Sequence, residues 1–173
     1  MLLYHFSEEP DIEIFIPRKM EARKEFPAVV WAIDEEHAVN YYFPRECPRI
    51  VYSKSENMSE WDVEKFFGGT VADTIVAVES GWMGRMKSTK LFRYSFDGSA
   101  FEMQDETAGY YISEETVKPL SVEPVGDLMQ EIVNQGVELR VTPNLYPLRD
   151  MILSSTIDRF SIIRFRNAIM PST

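Results

Sequence analysis

Leu2-Leu3-Tyr4-His5-Phe6-Ser7 and Ala28-Val29-Val30-Trp31-Ala32-Ile33-Asp34 are the two stretches on which the reading of this chain turns. Each is a short apolar run closed by a polar residue, the pattern of a buried β-strand. Each also carries a side chain, His5 or Trp31, able to do more than fill a core. The first run begins at Leu2, which predicts an N-terminal segment held in a sheet. The second continues into Glu35-Glu36-His37-Ala38-Val39-Asn40-Tyr41-Tyr42. Asp34 is a good N-cap there, Glu35 and Glu36 suit the positive end of a helix dipole, and Ala38, Tyr41 and Tyr42 share helical spacing up to Pro44.

Working outward, alternation over Ile12–Ile16 predicts a strand, and Ile50-Val51-Tyr52 predicts another. Ser59 should cap a helix that stops at Gly68-Gly69. A strand is expected over 73–79 and a loop with exposed apolar residues over 81–88. Strands are then expected over 90–96, 101–104, 109–113 and 117–122, with Asp97-Gly98 as a hairpin turn joining the first two. Helices follow over 126–135 and 144–155, the latter tolerating Pro147 in its first turn, and strands over 137–141 and 160–165. Strands outnumber helices without regular alternation. The expectation is therefore a single α+β domain over residues 1–173, with a mixed, mostly antiparallel split sheet flanked by helices.

Bulk composition narrows the function classes. The 173 residues carry 28 acidic and 18 basic side chains, a net charge of −10. A phosphate backbone rewards clustered Lys and Arg, so broad nucleic-acid binding and binding to an anionic membrane are not expected. A local cationic pocket for one small phosphate ligand stays compatible with that total. One cysteine, Cys47, permits no internal disulfide, which points to a reducing, cytoplasmic setting. One Cys and two His cannot by themselves fill a four-ligand zinc site. No run of apolar residues approaches the length of a membrane span.

Several residues could carry chemistry. His5 is either a satisfied core histidine or an imidazole presented at a cleft floor to donate to a ligand hydroxyl. His37, on a polar helix face, reads as solvated. Trp31 and Tyr42 are either core or two faces around a flat heterocycle. Three Pro-Arg dipeptides place Arg18, Arg45 and Arg49 behind rigid prolines, where a guanidinium suits a phosphate or carboxylate, including an internal Asp or Glu. Glu114 and Glu115 sit at a strand junction, where one carboxylate could orient a hydroxyl or stabilise positive charge and the other be a solvated tip. Glu79 and Asp34 are rivals for that role. No phosphate-cradling glycine motif occurs.

Two resemblances attach to these residues. Leu3–Glu8, Val30–Ile33, Phe43-Pro44-Arg45-Glu46-Cys47-Pro48-Arg49 and Phe160–Ala168 together resemble a small family of uncharacterised proteins of Bacillus-like bacteria, which implies a cytoplasmic bacterial protein. More distantly, the chain resembles ADP-ribosyltransferase-like domains: a His on the first strand, an aromatic on the second, a helix with a small residue and a Tyr, and a late acidic residue. By that resemblance His5 would hold the nicotinamide ribose of NAD, and Trp31 and Tyr42 would flank the nicotinamide, with Ala38 between. Glu114 or Glu115 would assist transfer, and a Pro-Arg pair would face the pyrophosphate. Trp31-Ala32-Ile33 departs from that pattern where a hydroxyl residue is often found. The alternatives are a non-catalytic small-ligand or protein-binding module, the latter working through residues 81–86, and a carboxylate-based hydrolase.

Overall fold

The computed structural model describes residues 1–21 and 24–171. It is an α+β protein with two open, mostly antiparallel sheets and four α-helices among the described residues. The chain divides into two compact units, residues 1–42 with 90–126 and residues 43–89 with 127–173.

The first unit holds a six-stranded sheet in the order β6-β7-β2-β1-β5-β8. Its strands are β1 (Leu2–Ser7), β2 (Val30–Ile33), β5 (Phe92–Asp97), β6 (Glu102–Asp105), β7 (Tyr110–Ser113) and β8 (Ser121–Pro124). Both opening stretches are therefore strands, and they are neighbours, in antiparallel register at Tyr4↔Ile33. On β1's other side β5 pairs along its full length, from Leu2↔Asp97 to Ser7↔Phe92. Side chains alternate between sheet faces along a strand. Leu3, Val30, Ala32, Tyr94, Phe96 and Tyr111 accordingly share one face, closed over by Phe15, Phe101 and Val117. A fully buried Leu3 alone contributes about 1.5–3 kcal/mol.

The second unit holds β3 (Arg49–Ser53), β4 (Thr74–Glu79), β9 (Glu138–Thr142) and β10 (Phe160–Ile163) in the order β10-β3-β4-β9. Among the described residues only the β4–β9 pair is parallel. β4 lies between two partners and is buried from Ile75 to Glu79. Ile50, Tyr52, Ile75 and Ala77 pack against Phe66 and Phe67 of α1 (Glu60–Phe67) and Leu145 and Ile152 beside and on α4 (Tyr146–Leu153). The caps behave as their residue types require: Ser59 accepts from Asp62 N at 3.2 Å and Asp127 from Gln130 N at 3.0 Å. Asp127 starts α3 (Leu128–Asn134), and Gly136 beyond it takes φ +75°.

Four expectations need correction. Ile12–Ile16 forms no strand; Phe15 makes an isolated bridge to Val117, because its ring is drawn into the core instead of a ladder. The stretch after Asp34 makes one 3₁₀ turn, Ala38–Tyr41, in place of an α-helix. Asp97-Gly98 does not close a hairpin: β5 and β6 stand on opposite sides of β1, and Gly98 N bonds Met1 O at 3.0 Å. Residues 81–88 are not an exposed apolar loop. Met83–Ser88 is helix α2, with Met86 buried and Arg85 lying over the Trp82 ring at 4.6 Å. The charged stretch 19–26, which could form a helical turn or a loop, lies in part, at Ala22 and Arg23, outside the described residues.

Candidate functional site

Of the eight residues given ligand-binding or catalytic roles above, six lie in the first unit: His5, Arg18, Trp31, Tyr42, Glu114 and Glu115. Trp31 is in register with Ile112 of β7, and Val30 with Ser113, after which come Glu114 and Glu115, both exposed. Just before β2, Arg18 exchanges main-chain hydrogen bonds with Val29, at 3.1 and 3.2 Å, and its residue is exposed. Arg18 and the two glutamates therefore sit at the same end of β2.

The structure does not bring His5 and Trp31 side chains onto one face. The Tyr4↔Ile33 register sends Tyr4, Phe6, Trp31 and Ile33 to one side and Leu3 and His5 to the other. The His5 ring packs edge-on against Phe15, 4.9 Å between centroids, beside the core. Its Nδ1 lies 3.0 Å from the Trp31 main-chain oxygen. A carbonyl only accepts, so Nδ1 carries the proton and donates. His5 thus holds β2 to β1 at Trp31.

On the opposite face the rings form a continuous series. Trp31 meets Tyr110 edge-on at 5.8 Å, and the hydroxyls of Tyr110 and Tyr41 lie 2.6 Å apart. Tyr41 is nearly parallel to Phe6, 10° apart with centroids at 6.5 Å, and Tyr42 abuts Phe6 edge-on at 5.4 Å. Phe6, Trp31, Tyr41 and Tyr110 are all partly exposed, whereas Tyr42 is buried. The near-parallel pair in this series is Phe6–Tyr41, with Tyr42 edge-on to Phe6.

Polar groups border this face. Tyr4 donates its hydroxyl to Glu35 in a short hydrogen bond, and Arg93 lies over the Tyr4 ring at 5.1 Å. Burial, then the neighbouring Glu35 carboxylate, pushes the Tyr4 phenol up to about 12. Asp34 Oδ1 accepts from His37 N at 2.9 Å and pairs with His37 Nδ1 at 2.7 Å. Gly109, at φ +69°, lies against this pair: a Cβ there would stand 2.7 Å from Asp34 Oδ1 and closer still to His37 Nδ1. The reading of His37 as solvated missed this, although the Asp-x-x-His spacing that lets one carboxylate cap and bind the ring was visible.

Arg45 and Arg49 belong to the second unit. Arg45 is exposed, whereas Arg49 is buried, donates to Cys47 O at 2.8 Å and lies over Phe43 at 4.8 Å. Cys47 is buried, and burial pushes its thiol up to about 12, far from a reactive thiolate. Glu79, the rival carboxylate, is fully buried and accepts from Leu145 N and Ile169 N, each at 3.1 Å. Its oxygens are occupied in holding the start of α4 and the C-terminal segment. Among the described residues no group of three or more His, Cys, Asp or Glu is placed to hold a metal ion, and no helix is long and apolar enough to cross a membrane.

The chain belongs to a family of unknown function, DUF6886, whose model matches residues 4–168. No curated protein and no solved structure matches it.

Proposed function

We propose that this member of the family binds a small planar ligand of the nucleotide class, NAD-like, on the ring-lined face of its first unit. One observation carries the reading: Phe6, Tyr41, Tyr110 and Trp31 follow one another in ring contact, partly exposed, on the face opposite the packed core. A planar ring held between two others needs about 7 Å between the outer planes, two contacts of about 3.5 Å. The Phe6 and Tyr41 rings are nearly parallel with centroids 6.5 Å apart, and in this reading they move apart to admit the ligand ring. Aromatic contact of this kind adds about 0.5–1.5 kcal/mol beyond burial.

In this reading His5 is a positioning residue that fixes β2 through Trp31 O, and Tyr42 backs Phe6. Arg18 supplies a cation at the end of β2. The likeness to ADP-ribosyltransferase-like domains extends the proposal to transfer chemistry, in which Glu114 or Glu115 assists. It also extends to a bacterial, cytoplasmic setting. A thermal-shift screen with NAD, ADP-ribose, AMP and nicotinamide tests the binding. A ligand at 100 times its Kd stabilises by about 2.7 kcal/mol. A rise in Tm with the nucleotides supports the reading, and no rise with any of the four overturns it.

A further inference from the structure

We propose that Asp34 and His37 form an acid–base pair at the border of the ring-lined face, with His37 Nε2 as the base for a hydroxyl group. The hydroxyl belongs to the bound ligand or to water held against it, so the identity of the ligand rests on the reading above while the pair itself does not.

The arrangement follows from the donors and acceptors present. A carboxylate only accepts, so both His37 N, at 2.9 Å, and His37 Nδ1, at 2.7 Å, donate to Asp34 Oδ1. The proton on Nδ1 leaves Nε2 as the bare acceptor of the neutral ring. Among the described residues Nε2 has no protein partner, and the side chain is 17% exposed. A carboxylate on the far nitrogen orients the imidazole and stabilises the cation formed when Nε2 takes a proton. In the step proposed, the O–H bond breaks, its electron pair stays on oxygen, and an N–H bond forms at Nε2.

Capping alone does not account for the local geometry. Asp34 Oδ1, accepting from His37 N, closes a local turn ahead of the 3₁₀ turn, whose N-cap is His37, and that turn needs only the His37 N–H. Here the ring is also drawn onto the carboxylate, and the chain meets both at Gly109, where no side chain fits. Gly109 is bonded through its oxygen to Asp34 N at 3.1 Å and leads directly into Tyr110, whose hydroxyl meets Tyr41 at the end of the same turn. The pair is thus joined through the main chain to Tyr41 and Tyr110 of that face. General acid–base groups of this kind contribute about 10²–10⁴-fold in rate.

The test is modification of the full chain by diethyl pyrocarbonate near pH 8, read by mass spectrometry at its two histidines. Asp34→Asn keeps an oxygen that accepts both hydrogen bonds but removes the charge. Fast labelling of His37 that slows severalfold in Asp34→Asn, with labelling of His5 and Tm unchanged, supports the pair. An unlabelled His37, or a rate indifferent to Asp34→Asn, overturns it. Nitrogen NMR of the unmodified protein is the second measurement: Nδ1–H with a bare Nε2 is expected, and the reverse tautomer contradicts the pair. NAD binding is measured separately by calorimetry. Absence of NAD binding beside a fast, Asp34-dependent His37 sinks the ligand reading and leaves the base standing.

Discussion

The imidazole of His5 donates from Nδ1 to the main-chain oxygen of Trp31 at 3.0 Å, from the face of the sheet opposite the Trp31 ring. Adjacent strands are thereby joined through a side chain just beyond their Tyr4↔Ile33 register. His5→Ala removes this bond and the edge contact with Phe15. The expected loss is about 2–4 kcal/mol, from a hydrogen bond of about 1 kcal/mol plus a cavity at the margin of a core. Urea unfolding measures it, and a loss below about 0.5 kcal/mol would show that His5 holds nothing.

Gly109 and His37 should be energetically coupled. Gly109→Ala meets a left-handed φ of +69° and a clash with the Asp34–His37 pair, and should cost about 2–4 kcal/mol. His37→Ala relieves the contact with the ring but neither that with Asp34 Oδ1 nor the φ. In a double-mutant cycle the coupling should favour the double variant by about 1 kcal/mol or more. Strict additivity would place the ring elsewhere.

Both opening strands were legible from their apolar runs, as were the Ser59 cap and the α3 and α4 helices from caps and spacing. Register was not. Which face His5 occupies depends on pairing with a strand 26 residues away, and a one-residue slip would reverse it. The Asp97-Gly98 turn misled for a related reason: a local turn signal carries no information about β1 being inserted between the strands it flanks. The His37 ring is bound by Asp34, only three residues away, so that pairing was open to the sequence, whereas the close approach of Gly109 and the backbone partners of Glu79 were not. Trp31 and Tyr42 were picked by spacing, yet Phe6, Tyr41 and Tyr110 complete the ring series through contacts that no local pattern encodes.

Tyr4 makes a pH prediction. Its phenol is raised from the ordinary 10.0 to about 12, chiefly by burial and then by Glu35. A group whose folded pKa lies above its unfolded one contributes stability that is full below the unfolded value. For Tyr4 that contribution is complete below pH 10 and is lost as pH rises through about 12. Tyr4→Phe should flatten this part of the stability curve while leaving its shape from pH 6 to pH 9 unchanged. An identical alkaline slope in both proteins would contradict the assignment.

Glu79 should be structural. Glu79→Ala leaves Leu145 N and Ile169 N without their acceptor in a fully buried setting, an expected cost of about 3–5 kcal/mol. Glu79→Gln keeps one accepting oxygen and should cost clearly less. Hydrogen exchange at Ile169 reports the effect locally, and unchanged protection in Glu79→Ala would refute it.

The most direct measurement on the ring-lined face is calorimetric titration of NAD into wild type, Trp31→Ala and Trp61→Ala. Trp61 is 76% exposed and lies in the other unit, so its variant controls for loss of any tryptophan. Saturable binding is expected in wild type and Trp61→Ala, weakened roughly 10–100-fold in Trp31→Ala for the loss of about 1–3 kcal/mol of ring contact and burial. No binding in wild type, or equal affinity in Trp31→Ala, would contradict a nucleotide site on this face.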